Sequence, residues 1–169
     1  MIYRITKYGE AVLHRKTEDF DWKNPRVDLE KLISDMFETM YAVQGVGLAA
    51  PQIGIPLRIA VVDVKLGDKS RPVVLINPRI FHQTGELREE EGCLSVPGIY
   101  TKVRRFSKTT LRAFNEKGVL SEISGEGFLA RAFQHETDHL DGKIFVDRLP
   151  FFARLKIKRV IRQHQKQWT

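Results

Sequence analysis

The spacing of hydrophobic and polar positions changes several times along the chain. Between Asp28 and Gly45 the apolar residues Leu29, Leu32, Ile33, Met36, Phe37 and Met40 recur at helical spacing. Asp28 stands where an N-cap belongs and Gly45 where a left-handed residue would end the segment, so an amphipathic helix with its Met and Phe stripe on the core is predicted. Residues 58–64 and 73–77 are apolar and β-branched, bounded by Pro56, a Gly67-Asp68 turn and Pro78, and read as strands. Residues 109–114 and 119–123 read as a hairpin around the loop Asn115-Glu116-Lys117-Gly118. Residues 1–5 alternate weakly and are expected as an edge strand, and residues 144–147 look strand-like. Gly125 and Gly127 break the chain ahead of a second helix over residues 128–140, which Gly142 closes. Pro150 opens a third, on which Ala153, Ile157, Val160, Ile161 and Trp168 share one arc and Arg154, Lys158, Arg162 and Lys166 follow one another beside it. Scattered strands with two or three helices and no regular βαβ alternation predict an α+β fold. Its mixed or antiparallel sheets would pack around the central helix at 128–140, with one helix before them and one after. The predicted organisation is one domain over residues 1–149, with a basic helix at 150–169 that is part of it or a docking tail.

Composition narrows the class. At 169 residues and 42% apolar content, one globular domain suffices. Residues 39–57 are an uncharged run of 19, but Gly45, Gly47, Pro51, Gly54 and Pro56 exclude a bilayer helix there. The opening residues carry Arg4, Lys7 and Glu10 without an apolar core or cleavage site, so no signal peptide is read and a cytoplasmic location is expected. Cys93 is the only cysteine and is free to be a ligand or a core residue. The net charge is +7, and the seven cations between Arg148 and Thr169, which meet no acid there, account for all of it. Only the tail asks for an acidic partner; neither a membrane nor DNA is expected.

The chemistry gathers at Gln134-His135-Glu136-Thr137-Asp138-His139-Leu140-Asp141-Gly142. On a helix His135 and His139 lie one turn apart on one face, where two imidazoles can bind one metal ion, and Glu136 would lie beside it as a proton carrier. A catalytic site of this type takes three protein ligands. A third His six residues on is replaced by Phe145, and no glutamate follows Glu136. Asp147 remains as a weak candidate. Upstream, Glu91-Gly92-Cys93-Leu94-Ser95-Val96-Pro97 offers Cys93, the one soft ligand for a site short by one. A third constellation, Gly45-Val46-Gly47-Leu48-Ala49-Ala50-Pro51-Gln52-Ile53-Gly54, lacks the Lys-Ser/Thr of a phosphate loop. Its small residues suit an extended substrate docked on backbone, and Gln52 offers an amide donor for a developing oxyanion. His14, His82 and His164 have no partner at ligand spacing.

These three segments, in this order, resemble the three signature motifs of the peptide deformylase family, and the resemblance runs from the first residues to about Leu149. It implies hydrolysis of the N-formyl group from formyl-methionine at the start of newly made polypeptides, releasing formate. It also implies one divalent metal ion on Cys93, His135 and His139, with Fe2+ the usual ion and Zn2+, Ni2+ or Co2+ able to replace it. Glu136 is then the general base and acid, and Gln52 with the backbone N–H of Leu94 the oxyanion partner. Backbone at Val46, Gly47 and Gly92 would pair with the peptide, and Phe128 and Ala132 would line the methionine pocket. The basic C-terminal helix would be a contact to the ribosome. Two departures stand out: Glu10-Ala11-Val12-Leu13-His14 replaces an Asp-Pro-x-Leu-Arg-like stretch, and Tyr100 stands where some bacterial members have arginine. The competing readings are a zinc endopeptidase, disfavoured by its absent downstream ligands, and an RNA-binding module, which rests on the tail alone.

Overall fold

The computed structural model describes residues 1–64 and 70–168. Its elements run α1 (Leu29–Ala42), β1 (Gly47–Ala49), β2 (Ile59–Val62), β3 (Val73–Thr84), β4 (Leu87–Cys93), β5 (Val96–Arg105), β6 (Lys108–Phe114), β7 (Leu120–Glu126), α2 (Gly127–Leu140) and α3 (Phe151–His164). Short 3-10 turns occupy Ala11–His14, Ala50–Ile53, Phe145–Arg148 and Gln165–Gln167. No helix among the described residues is long and apolar enough to cross a membrane.

Strands β1-β2-β3-β6-β7 form one sheet in that order, and β4 and β5 a separate ribbon; every pairing is antiparallel. The sheet is covered on both faces near β2. Ile59 and Val61 join the cluster around Met36 and Met40 of α1, whereas Ala60 and Val62 join the cluster around Phe133 and Leu140 of α2. That is why β2 reads as an unbroken apolar run and not as an alternation. A third cluster joins Val96, Ile99 and Val103 of β5 to Phe145, Val146 and Ile161 of α3, with Trp168 against it.

The α+β class and the three helices stand as expected, and Asp28 caps α1 by accepting from the Lys31 N–H at 3.0 Å. Several boundaries moved. Gln44, with φ 56°, takes the left-handed position after α1 in place of Gly45. Pro78 does not end β3, because it falls at a register shift between Ile76 and Arg79 where a missing N–H costs no ladder bond. Gly125 stays in β7 instead of breaking the chain, and Gly127 (φ 57°) begins α2. Gly142 does close α2: its φ is 71°, and a Cβ would stand 2.7 Å from the Arg15 backbone. Residues 1–5 form no strand; the chain next to them is held by single bonds from Thr6 N to Gln52 O and from Tyr8 N to Ser95 O. The strand-like residues 144–147 are a 3-10 turn, in which Asp147 accepts from the Ile144 N–H. The Gly67-Asp68 turn lies outside the described residues. Strands β4 and β5, absent from the sequence reading, carry much of the site.

Candidate active site

Helix α2 is pinned to the sheet by Leu129, Ala130, Ala132, Phe133 and Leu140, which turns the faces bearing His135, Glu136 and His139 toward β1 and β4. Gly47 makes that approach possible, since a Cβ there would overlap the Glu136 carboxylate. Cys93 ends β4 at the tight turn into β5, where it pairs with Val96. The Cys93 Sγ lies 3.2 Å from His139 Nε2, which lies 3.2 Å from His135 Nε2. All three donor atoms fall within 4.8 Å of one another.

This donor set fits a divalent metal ion. Bonds of about 2.0–2.3 Å at tetrahedral angles separate neighbouring ligand atoms by about 3.3–3.6 Å, near the spacing seen. With the His135 and His139 rings as Nδ1–H tautomers, both Nε2 lone pairs and the Cys93 sulfur converge on one point that a cation would fill. Burial alone would push the Cys93 thiol up, but the surroundings supplied by His139 and His135 outweigh it and hold the group well below its usual value, as the thiolate a ligand must be. Asp147 is not part of the cluster; it caps Ile144 and faces Lys158. His14 and His164 also lie apart, the first against the Tyr8 ring and the second with Nδ1 beside the Val160 carbonyl.

Around the three donors, each neighbour is held in one orientation. Gln52 is buried, and its Oε1 accepts the Ala49 N–H at 2.9 Å. Its Nε2 is thereby turned to Cys93 Sγ at 3.6 Å and Ser95 Oγ at 3.4 Å. Glu136 is also buried, its Oε2 has no partner among the described residues, and burial pushes the carboxyl up to about 7. A carboxyl balanced near neutrality beside three metal-type donors can both take and return a proton.

Of the layer behind these residues, sequence reasoning singled out only Glu91, as facing the substrate side; it does line the cleft, but its carboxylate is turned to His135 and Arg105. His135 Nδ1 meets Glu91 Oε1 at 2.6 Å. Arg105 grips that carboxylate through Nε at 3.0 Å and Nη2 at 2.6 Å, and reaches Asp138 Oδ2 through Nη1 at 2.6 Å. Arg148 adds Nε on the same Asp138 oxygen at 3.0 Å and Nη2 on the other. Burial would push Glu91 up, but His135 and Arg105 win and hold it down to about 2. A carboxylate on the far nitrogen of a ligating His fixes the ring's tautomer and tilt. The signal in the sequence was Asp138, an acid one residue from His139 on a buried helix, which demands a cation from elsewhere in the chain.

A cleft of about 600 Å³ opens over the cluster. Val46, Gly47 and Gly92 lie on its walls, as do Leu94, Phe128 and Ala132, so every position expected to meet substrate reaches one cavity. Strand β1 is the edge of its sheet, leaving one side of its backbone to the cleft. The Val46 carbonyl is already taken by the Asp63 N–H at 2.9 Å. Tyr100 is exposed on the cleft wall, and Phe128 carries the Arg131 guanidinium 4.5 Å above its ring.

The model of the family described as polypeptide deformylase matches residues 2–154 of this chain. The chain belongs to the polypeptide deformylase family. Among its relatives, the peptide deformylase of Acidobacterium capsulatum is 47% identical over 167 residues, covering 98% of this chain and 97% of that protein. That of Aquifex aeolicus is 46% identical over 156 residues and covers 91% of each. Among solved structures, the deformylase of Legionella pneumophila superposes with a TM-score of 0.86 at 43% identity, covering 99% of this chain and 97% of that one. The Thermus thermophilus deformylase reaches 0.88 at 39% identity, covering 98% and 99%. Membership at this level extends over the whole deformylase fold, with the β4–β5 ribbon and α2 that bring Cys93 to the two histidines.

Proposed function

We propose that this chain hydrolyses the N-formyl amide of formyl-methionine at the start of newly made polypeptides, releasing formate, with Glu136 as the residue that moves the proton. The observation that carries this reading is the meeting of Cys93, His135 and His139 beside a buried, unpartnered Glu136 oxygen. Cys93, His135 and His139 would hold a divalent ion, which would supply Lewis acidity toward the formyl carbonyl and lower the pKa of water. Glu136 accepts the proton released from the attacking water and delivers it to the departing amine nitrogen, so one carboxyl serves both halves of the hydrolysis. The Gln52 amide, its oxygen tied to Ala49, donates Nε2 to the developing oxyanion, with the Leu94 N–H as second donor. Backbone at Val46, Gly47 and Gly92 holds the peptide as an added strand, and the methionine side chain lies against Phe128 and Ala132.

The finer assignments follow from the same reading. Fe2+ is the ion proposed for the cell; Zn2+, Ni2+ and Co2+ suit the same donors, and supply decides between them. The enzyme works in the cytoplasm, as one catalytic domain over residues 1–149 to which the helix at 150–169 adds a basic face. That face, with no acid from Arg148 onward, is proposed to meet ribosomal RNA.

The test is formate release from formyl-Met-Ala-Ser by protein loaded with Fe2+ or Ni2+ without oxygen. Wild type is expected to release formate, and Glu136→Ala to lose at least about a thousandfold in rate while still holding one ion per chain. Release that survives Glu136→Ala overturns the proton role; no release with any ion overturns the activity.

A further inference from the structure

On the other side of α2 lies a second cavity, of about 560 Å³, that shares no lining residue with the cleft. Helix α2 separates them, with Gln134, Thr137 and Asp138 on one wall and His135 and Glu136 on the other, and the buried Arg105–Glu91 pair joins the two walls. Six cationic side chains line this second cavity, Lys16, Arg58, Arg79, Arg104, Arg105 and Arg148, against three acids, Glu86, Asp138 and Asp141. Most of this charge is paired, so what matters is which donors remain unused.

Arg58 is the most informative. Its side chain is only 3% exposed, yet it lines the cavity. Nε donates to the Pro78 carbonyl at 3.0 Å, and Nη1 to the Leu140 carbonyl at 3.3 Å and to Asp141 Oδ1 at 2.7 Å. Its Nη2 has no partner among the described residues. The same holds for Nη1 of Arg148, whose Nε and Nη2 are both committed to Asp138. Lys16 at the mouth makes no ion pair among the described residues. Thr137, also on this wall, has a buried Oγ1 without a partner among the described residues. A guanidinium locked in place by two or three bonds, with an unspent N–H pair beside a cavity, is preorganised for an oxyanion. Ile80 and Phe106 give the same cavity an apolar side, and Gln134 fixes that side by bonding both the N–H and the carbonyl of Phe106, at 3.0 and 2.8 Å.

We propose that this second cavity is a phosphate-binding site, in which Arg58, Arg148 and Lys16 hold the phosphate group of a small ligand behind the catalytic helix. The cavity is larger than one phosphate, so a phosphate monoester can rest its carbon part on Ile80 and Phe106.

The test is isothermal titration of the metal-loaded enzyme in phosphate-free buffer, with inorganic phosphate and adenosine monophosphate as separate probes. One saturable site per chain is expected for at least one probe, equal affinities assigning the site to the anion alone and tighter monoester binding adding the apolar wall. The product peptide Met-Ala-Ser, which occupies the cleft, should displace neither. Lys16→Glu, at an exposed position, is expected to weaken binding about tenfold or more, and Lys117→Glu, in the distant β6–β7 turn, to leave it within about twofold. Arg58→Lys keeps the charge but removes the fork and should also weaken it. Absence of saturation with both probes, displacement by the product peptide, or equal losses from Lys16→Glu and Lys117→Glu each overturn the proposal.

Discussion

Helices α2 and α3 are each 14 residues long and each amphipathic, yet nine side chains of α2 are buried and of α3 only Ile161. The difference lies in where each helix puts its polar residues. Helix α2 buries Gln134, Glu136, Thr137, Asp138 and His139, and a buried polar group is costly unless something meets it. Partners for His135, Asp138 and His139 come from β4, β5 and the turn before α3, Cys93 and Glu91 from the first, Arg105 from the second and Arg148 from the third, while Glu136 Oε2 and Thr137 Oγ1 keep none among the described residues. Helix α3 turns Lys156, Arg159 and Arg162 to solvent, keeps Arg154 and Lys158 half-buried, and stays attached by an apolar stripe, Ile157, Val160 and Ile161. A helix that carries chemistry in its interior enlists the rest of the fold to hold it; one that carries charge on its surface does not. Substitutions in the two helices should differ accordingly, in size and in kind.

The largest effect is expected at Cys93, where α2 meets the strand that completes its ligand set. Cys93→Ser removes the soft donor and should cost at least about a hundredfold in metal affinity, read by metal analysis after dialysis against a chelator. Retention of one ion per chain under those conditions would show that the two histidines suffice. Next comes Arg105→Met, which leaves Glu91 and Asp138 as buried acids with one guanidinium fewer. Breaking a buried pair from one side costs about 3–5 kcal/mol, measurable by urea unfolding. His135 should also lose its fixed tilt, so the metal ought to dissociate faster. A loss below about 1 kcal/mol would mean the network is solvated, and the contrast with α3 would weaken.

The sequence showed the two ends of this contrast better than the structure between them. The histidines one turn apart, Glu136 beside them and the basic stripe of α3 are local patterns, and local patterns survive folding; Cys93, 42 residues before His135, followed by elimination as the ligand still wanted. The β4–β5 ribbon is not local in that sense. Leu87–Cys93 contains Glu89 and Glu90, which as composition read as a solvated acidic run, and Glu91, which reads as turned to the substrate side. Glu91 is nevertheless buried, because Arg105, 14 residues on, reaches back to neutralise it. Nothing in either segment alone predicts that pairing. Pro78 misled for a similar reason: a proline ends a strand unless a bulge absorbs it, and the bulge, an extra residue in β3 between Ile76 and Arg79, shows only in the pairing with β6. The clamp on Asp138 needed two arginines that lie 33 and 10 residues away.

On α3, the same contrast predicts smaller losses that leave the chemistry alone. Ile161 is fully buried against β5 and Phe145, so Ile161→Ala should cost about 2 kcal/mol or more in unfolding free energy. Because the packing removed is apolar and lies outside the cleft, formate release per folded molecule should stay near wild type. A matching fall in activity would tie α3 to the site.

The smallest change in stability is expected from reversing exposed charge. Arg159 and Arg162 are exposed on α3 and make no ion pair among the described residues. The double variant Arg159→Glu, Arg162→Glu should therefore unfold within about 0.5 kcal/mol of wild type. This pair tests the tail better than removing it, since deleting α3 would also strip Ile161 and its neighbours from their cluster. If the helix meets ribosomal RNA through its cations, the double variant should bind ribosomes more weakly at low salt and lower the slope of log affinity against log salt by about one for each phosphate it no longer neutralises. Sedimentation with ribosomes at two or more salt concentrations separates the outcomes: a lower slope with unchanged stability assigns α3 a surface role, and an unchanged slope removes the ribosome from the reading while leaving the deformylase site as it stands.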